Sequence, residues 1–476
     1  MSREETTAPG WPGSAPRWTS SAKSGVGTSL SPESRVWFTL SHGIFNEIYY
    51  PRLDQACIRD MGLIVTDGGE FFSEEKRHAE SRVSCLAAGV PAYRLTNTCR
   101  QGRYEIIKEI VTDSRRDAVL QWTRFAPRTG VLGEYHLYVL LAPHLGNHGS
   151  GNTAWVGDYK GVPMLFARRG SFALALACSA PWLHRSAGFV GVSDGWQDLA
   201  SHGLMTWSYD RAENGNVALT GEIDLRLCDG EFMLALGFGQ NSAEAGNRAR
   251  AALLDGFTAA REEYLAGWRS WQRSLVLGEY APGGHDLCLT SAAVLRTHEA
   301  NNFPGGITAS LSIPWGFAKG DDDLGGYHLI WPRDLVEAAG ALLAAGAGDD
   351  VRRVLSYLHS TQEGDGHWPQ NMWLDGTPYW DGIQMDETAF PVLLVDLAWR
   401  ERILNDEDLE RLWPMVRRAA GFIARNGPVT GQDRWEEDPG YAPFTLAVEI
   451  AALLAAADMA ELLGEPATAA YLRETA

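Results

Sequence analysis

Two adjacent carboxylates beside a tryptophan make DRWEEDPG, Asp433 to Gly440, the first stretch that could do chemistry. Glu436 and Glu437 follow Trp435, and a proline and a glycine halt the backbone before a long apolar run. Consecutive side chains at a helix end diverge, so the two glutamates can do different work. A carboxyl against an indole in a poorly solvated pocket has its pKa raised and can hold a proton at neutral pH. Its neighbour could accept hydrogen bonds from a hydroxyl-rich ligand. A solvated acidic loop has the same composition, so the rest of the chain must weigh in.

A second group lies in GGYHLIWPRD, where Arg333 and Asp334 open a helix close to Tyr327 and Trp331. A guanidinium fork next to a carboxylate, with indoles nearby, suits vicinal hydroxyls and the apolar faces of a sugar. The bland alternative is an N-cap by Asp334 with a local arginine pair. Trp380 sits in PYWDG. Cleavage of a glycosidic bond needs a proton donor for the leaving oxygen and a second carboxylate as base or nucleophile. Competing chemistries lack their signatures: there is no HExxH, Walker A, flanked GxGxxG or GxSxG. The run Asp321-Asp322-Asp323 could take calcium, but a solvated loop is the favoured reading, and no metal site is assigned.

The elements that must position these residues fall into three blocks. Residues 1–30 are rich in Gly, Pro, Ser and Thr and read as an arm. Residues 31–241 carry short β-branched and aromatic runs, among them RVWFTL, YEIIKEIVT, AVLQWTRF, YHLYVLLA and FMLALGF, punctuated by turn residues. They predict a large antiparallel β-sandwich, and Asn214-Gly215 signals a hairpin. Residues 242–275 are helical and read as a linker, with Phe257, Tyr264, Leu265, Trp268 and Trp271 on one apolar face. From 276 to 476 only helices and loops are predicted. Short connections alternate with long aromatic and polar ones, which precede the second, fourth and sixth helices of this block. Helical hairpins set in a ring would gather all the long loops at one end, where they could line a pocket. Arg333, Asp334, Trp380 and Glu436 all lie on those loops.

Bulk properties limit the partners. A net charge of −19 argues against nucleic acid and anionic membrane surfaces, which need a basic face. No stretch reads as a membrane span; Leu446 to Met459 comes nearest and carries Glu449 and Asp458. The N-terminus has no signal-type apolar run. The six cysteines are scattered, without CxxC pairs, which suggests free thiols, no structural zinc and a cytoplasmic location.

GGYHLIWPRD, PYWDGIQMDETAF and DRWEEDPGYAPFTLAVEIAALLAAADMA, in that order and spacing, resemble the glucoamylase–glucodextranase family of glycoside hydrolases, family 15. GVGTSLSPESRVWFTLSHGIFNEIYYPRLDQACIRDMGLIVTDG resembles the N-terminal sandwich domain of its bacterial members. The resemblance implies a β-supersandwich, a helical linker and an (α/α)6 barrel. It implies an exo-acting α-glucan hydrolase that releases β-glucose with inversion and needs no cofactor. It makes Glu436 the general acid. Tyr327, Trp331, Arg333, Asp334, Trp380, Trp435 and Glu437 become substrate-binding residues for an α-glucan or malto-oligosaccharide. Pro332 departs from the threonine common at that place. The family's barrel has twelve helices and its general base lies late in it, so about half a barrel is expected here, with the base beyond residue 476 and little turnover without it. Glucodextranase, α,α-trehalase, an inverting disaccharide phosphorylase and a non-catalytic glucan-binding protein stand as alternatives.

Overall fold

The computed structural model describes residues 5–277, 284–313, 320–322 and 324–476. The chain forms two compact units, Met1–Gln272 with Leu311–Gly326, and Arg273–Ser310 with Tyr327–Ala476.

The first unit is built on two large antiparallel sheets. One has eight strands, running from Gly25–Thr28 through Trp37–Ser41, Ile44–Tyr49, Ala56–Thr66, His136–Pro143 and Val217–Ile223 to Trp182–Phe189, with Phe72–Glu74 paired beside the fourth. The other has nine, in the order Arg211–Gly215, Asn152–Tyr159, Val162–Arg169, Phe172–Cys178, Glu231–Gly239, Ala118–Pro127, Tyr104–Thr112, Tyr93–Cys99 and Ala79–Cys85. Alternation places Phe38, Phe45, Ile106, Leu137, Leu174, Leu219 and Phe238 in one shared core. Two short helices decorate it, α1 (Glu75–His78) and α2 (Gly195–His202), the latter capped by the Asp194 side chain.

Two sequence expectations change here. Residues 5–24 do not hang free. Trp18 is buried, the Trp11 indole donates to the Asn214 carbonyl at 2.9 Å, and Gly25–Thr28 is a strand of the eight-stranded sheet. Asn214-Gly215 ends the strand Arg211–Gly215, with Asn214 at φ 52°, and makes no hairpin. That strand pairs with Asn152–Tyr159, and the strand after it joins the other sheet. The chain changes sheets at that corner, and turn chemistry cannot distinguish a change of sheet from a return. The helical linker packs on the sandwich. The small-residue face of α3 (Ser242–Asp255), including Ala245 and Ala249, lies on Phe166, Ala173 and Ala175. Along α4 (Phe257–Gln272), Tyr264 donates to the Pro91 carbonyl at 2.8 Å and Trp268 to that of Thr28 at 2.9 Å. In the triple-aspartate segment the Asp321 carboxylate accepts from the Gly149 N–H at 2.7 Å. Asp323 lies outside the described residues, which hold no metal-ligand cluster.

The second unit contains α5 (Gly284–Thr297), α6 (Pro332–Ala344), α7 (Gly348–Thr361), α8 (Met385–Arg400), α9 (Asp406–Asn426), α10 (Pro443–Leu462) and α11 (Pro466–Thr475). Helix α6 starts with proline at its first position, where a missing N–H costs nothing. Helix α9 starts with a capping box between Asn405 and Asp408. Helices α6, α8 and α10 lie side by side, and α7, α9 and α11 pack beside them. This is the order of alternating inner and outer helices in a ring. Helix α10 corrects one expectation, because it is long and apolar enough to cross a membrane. Here it is a packed helix against α8, α9 and α11, with Glu449 buried along it.

The most demanding element of the sandwich is a buried ion pair. The Lys108 ammonium lies 2.8 Å from Glu75 and donates to the Gly43 carbonyl at 2.6 Å. Glu75 also accepts from the Leu63 N–H at 2.8 Å and the Asn97 amide at 2.5 Å. Gly43, at φ 75°, has Asn97 against the place a Cβ would occupy, so only glycine fits. Burial pulls the Lys108 pKa down, and Glu75 holds it up in part. Removing one member of such a pair strands the other. Lys108→Ala is expected to cost roughly 3–5 kcal/mol in denaturant unfolding, and Lys108→Met with Glu75→Leu to recover most of that loss.

Candidate active site

The three long loops of the second unit converge, and backbone contacts show how. Ile330 and Met372 exchange two hydrogen bonds of 2.9 Å, joining the loop before α6 to the small hairpin Asn371–Met372/Pro378–Trp380. The Met385 N–H donates to Thr430 Oγ1 at 3.2 Å, joining the start of α8 to the loop before α10. The Trp331 indole N–H then donates to Glu436 Oε1 at 3.1 Å, closing the circuit between the loops before α6 and α10.

Glu436 sits at the tip of a tight turn. Its N–H donates to the Asp433 carbonyl at 2.9 Å, and the Asp433 carboxylate accepts from Trp435 and Glu437 N–H at 2.9 and 3.1 Å. Glu436 has φ 68°, a left-handed conformation that costs a non-glycine residue about 1–2 kcal/mol. The kink separates the two glutamates: Glu436 is half-buried against Trp331, whereas Glu437 is exposed. The indole that shields the carboxyl is therefore Trp331, 105 positions away, and not its chain neighbour. Trp435 is 68% exposed, with the Arg434 guanidinium 4.7 Å from its ring centre. Tyr327 is half-exposed, and its ring lies 6.5 Å from that of Trp331.

Arg333 differs most from expectation. Its guanidinium is not an open fork. One terminal nitrogen donates to Gln384 Oε1 at 2.9 Å and Asp386 Oδ2 at 2.7 Å, and lies 3.2 Å from Glu387. Its backbone N–H donates to Glu387 at 2.5 Å. The other terminal nitrogen reaches the Arg434 carbonyl at 3.5 Å, two residues before Glu436. Arg333 thus ties the first turn of α8 to the turn that carries Glu436. Asp334 is left as the more accessible carboxylate, 3.9 Å from the guanidinium, and partial burial raises its pKa. It caps nothing; the cap position of α6 is Trp331.

Trp380 is placed by its backbone N–H, which donates to Asn371 Oδ1 at 2.9 Å, and its ring lies 5.5 Å from that of Tyr379. Two residues on, Gly382 lies against Gln370 and Gln432, close enough that a Cβ would sit within 3 Å of both side chains. This glycine brings the Trp380 hairpin onto the Glu436 loop.

Sequence reasoning missed Gln384, Asp386, Glu387 and Glu449, all buried. The run MDETAF was visible, but acidic residues in a first helical turn are ordinary. Burial raises Glu387 well above the usual carboxylate range, with Arg333 opposing and Asp386 reinforcing the shift. Burial and the Asp386 charge raise Glu449 to about 7.

Family models place these residues in context. The model for "Glucodextranase, domain N" matches residues 8–273, and that for "Glycosyl hydrolases family 15" matches 365–476. A glucoamylase of Clostridium sp. (strain G0005) is 38% identical over 450 residues, covering 94% of this chain and 62% of its own length. A crystal structure of a bacterial glucoamylase complexed with acarbose superposes with a TM-score of 0.93 at 37% identity, over 99% of this chain and 68% of that one.

The chain belongs to glycoside hydrolase family 15.

It is of the bacterial type with an N-terminal sandwich domain. Its helical unit corresponds to part of the family's (α/α)6 barrel, and the chain spans 62% of the Clostridium glucoamylase. An uncharacterized glycosyl hydrolase of Methanocaldococcus jannaschii is 27% identical over 143 residues. A family 92 inverting mannosidase of Bacteroides thetaiotaomicron, at 10% identity and a TM-score of 0.51, shares the fold alone.

The raised carboxyls of this family 15 chain make its stability depend on pH. Glu449 titrates at about 7 when folded and near 4.5 when unfolded, so between these values the folded state binds the extra proton. The stability it confers is present below about 4.5 and is lost as pH rises towards 7. Glu387 and Asp334 shift in the same direction. Glu449→Gln is therefore expected to stabilise the protein at pH 8 by about 2–3 kcal/mol and to do little at pH 4.5. Denaturant titrations of both forms at the two pH values check this.

Proposed function

We propose that Glu436 is the general acid of an exo-acting α-glucan hydrolase, which releases β-glucose from non-reducing ends by inversion. The observation that carries this reading is the Trp331–Glu436 contact on loops that also hold Arg333 and Asp334. An indole N–H at 3.1 Å fixes one carboxyl oxygen and leaves the other to face a glycosidic oxygen. Asp334, with the aromatic rings of Tyr327, Trp331 and Trp380, supplies hydroxyl acceptors and flat apolar surfaces for a terminal glucose. Trp435 and Glu437, both exposed, suit the outer face of the site, where a leaving sugar would lie. Arg333 acts by holding the site together as much as by binding sugar.

Inversion requires a second carboxylate, about 6.5–9.5 Å from the first, to activate water. Glu387 and Glu449 are buried and their pKa values are raised, so at mildly acidic pH both hold a proton and neither presents an ionised carboxylate to a water. The activity proposed is that of the complete family architecture, of which this chain spans about two thirds.

The nature of the sandwich match supports a second reading, in which α-1,6 linkages are cleaved. Glucose release from maltotriose against isomaltotriose separates the two. In the complete enzyme, Glu436→Gln is expected to lower kcat by at least ~10²–10⁴-fold, because the proton donor acts in bond cleavage. Glu437→Gln should chiefly raise KM, since a ligand hydrogen bond serves ground and transition states alike. Steady-state kinetics on maltotriose check both, and near-normal kcat in the Glu436 variant would remove it from the acid role.

A further inference from the structure

The chain carries a formal charge of −19, yet one cleft of the sandwich unit gathers cations. It encloses about 430 Å³ and is lined by Arg17, Trp18, His42, Arg59, Lys76 and Arg77. Among the described residues no carboxylate lines it. The counter-charges lie beneath. Asp60 and Glu74 are buried, at 3% and 6% exposure. Asp60 holds Lys76 at 2.8 Å and Arg59 at 3.2 Å, while Glu74 holds Lys76 and Arg77 at 3.3 Å each. Thr19 donates to Asp60 at 2.7 Å and so fixes the segment that carries Arg17. Four cations over two buried carboxylates leave an excess of positive charge facing water, with Arg59, Lys76 and Arg77 already held in place and Arg17 exposed beside them. A purely structural ion-pair network would balance its charges and close over them.

A second cleft of about 210 Å³ shares Arg59, Lys76 and Arg77 with the first and adds Trp196. The Arg77 guanidinium lies 5.4 Å from the Trp196 ring centre, and the indole N–H donates to Glu74 at 3.0 Å. Asp194 and Glu74 also line this second cleft, but the Asp194 carboxylate is occupied by the N–H groups of Gly191, Trp196 and Gln197, and Glu74 by Lys76, Arg77 and the Trp196 indole. The two clefts together offer a cationic head and an indole wall. Guanidinium groups match phosphate oxygens in geometry as well as in charge, and indole suits a sugar face. The space is far larger than one phosphate ion requires.

We propose that this cleft binds a phosphorylated sugar, with Arg17, Arg59, Lys76 and Arg77 around its phosphate monoester and Trp196 beside the sugar ring. The site lies wholly within the sandwich unit and does not depend on the role of Glu436.

Isothermal titration calorimetry on the full chain at low salt tests this with three probes: glucose 6-phosphate, inorganic phosphate and glucose. Glucose 6-phosphate should give saturable binding that weakens as salt is raised. Arg17→Gln and Arg77→Gln should each weaken it about tenfold, the scale expected for losing one charge partner of a bound anion. Arg17 is exposed and the Arg77 side chain is 56% exposed, so circular dichroism and Tm should stay unchanged. Glu436→Gln should bind glucose 6-phosphate as the parent does. No saturable heat with glucose 6-phosphate, or binding that both arginine variants leave intact, overturns the proposal. Equal affinity for inorganic phosphate or for glucose overturns the sugar-phosphate assignment. Loss of binding in the Glu436 variant moves the site elsewhere and also overturns it.

Discussion

The second unit depends on how Arg333 is held. A lone guanidinium, largely withdrawn from water, meets a glutamine and two buried carboxyl groups from one short run, Gln384, Asp386 and Glu387. Its far side reaches the backbone of the turn that bears Glu436. Desolvating an arginine is costly unless its donors are satisfied. The chain meets that cost with groups from the first turn of α8, so the ends of α6 and α8 must register for the charges to be tolerated. The order of the loop tips then follows from a burial requirement.

Three acids and one base do not balance. Asp386, Glu387 and Glu449 all lie out of water near Arg333 or one another. Protonation resolves the excess: Glu387 and Glu449 shift upward, and Asp386 keeps the direct ion pair at 2.7 Å. A start of α8 crowded with carboxyls gains something from the helix dipole, though far less than full burial of a charge would cost. The sandwich solves the same problem differently. Lys108 and Glu75 pair one to one, with backbone and amide donors filling the remaining positions.

Backbone geometry does the remaining positioning. The left-handed Glu436 and the Asp433 side chain turn two consecutive glutamates towards different surroundings. Gly382 lets the Trp380 hairpin approach the Glu436 loop without a Cβ in the way. Both are local devices with long-range effects, because each sets which surfaces of two distant loops can meet.

The order and type of the elements follow from local signals along the chain. Helix starts near Asp334, Asp386 and Thr445, each within two residues of the observed Pro332, Met385 and Pro443, and the alternation of long and short connections were legible because caps, prolines and apolar periodicity act within a few residues. The same locality made a strand-rich first half and a helical second half plain. Glu436, Arg333 and Asp334 were legible as a group through the order of their motifs. Long-range packing alone sets Trp331 rather than Trp435 against Glu436 and commits Arg333 to Asp386 and Gln384. It alone placed Gly25–Thr28 in a sheet and carried the chain across sheets at Asn214-Gly215. The Trp331, Arg333 and Asn214-Gly215 contacts span from about 50 to about 105 positions, and no local propensity encodes which partner a side chain meets at that distance. That choice is made by which groups can be buried together with their charges and hydrogen bonds satisfied.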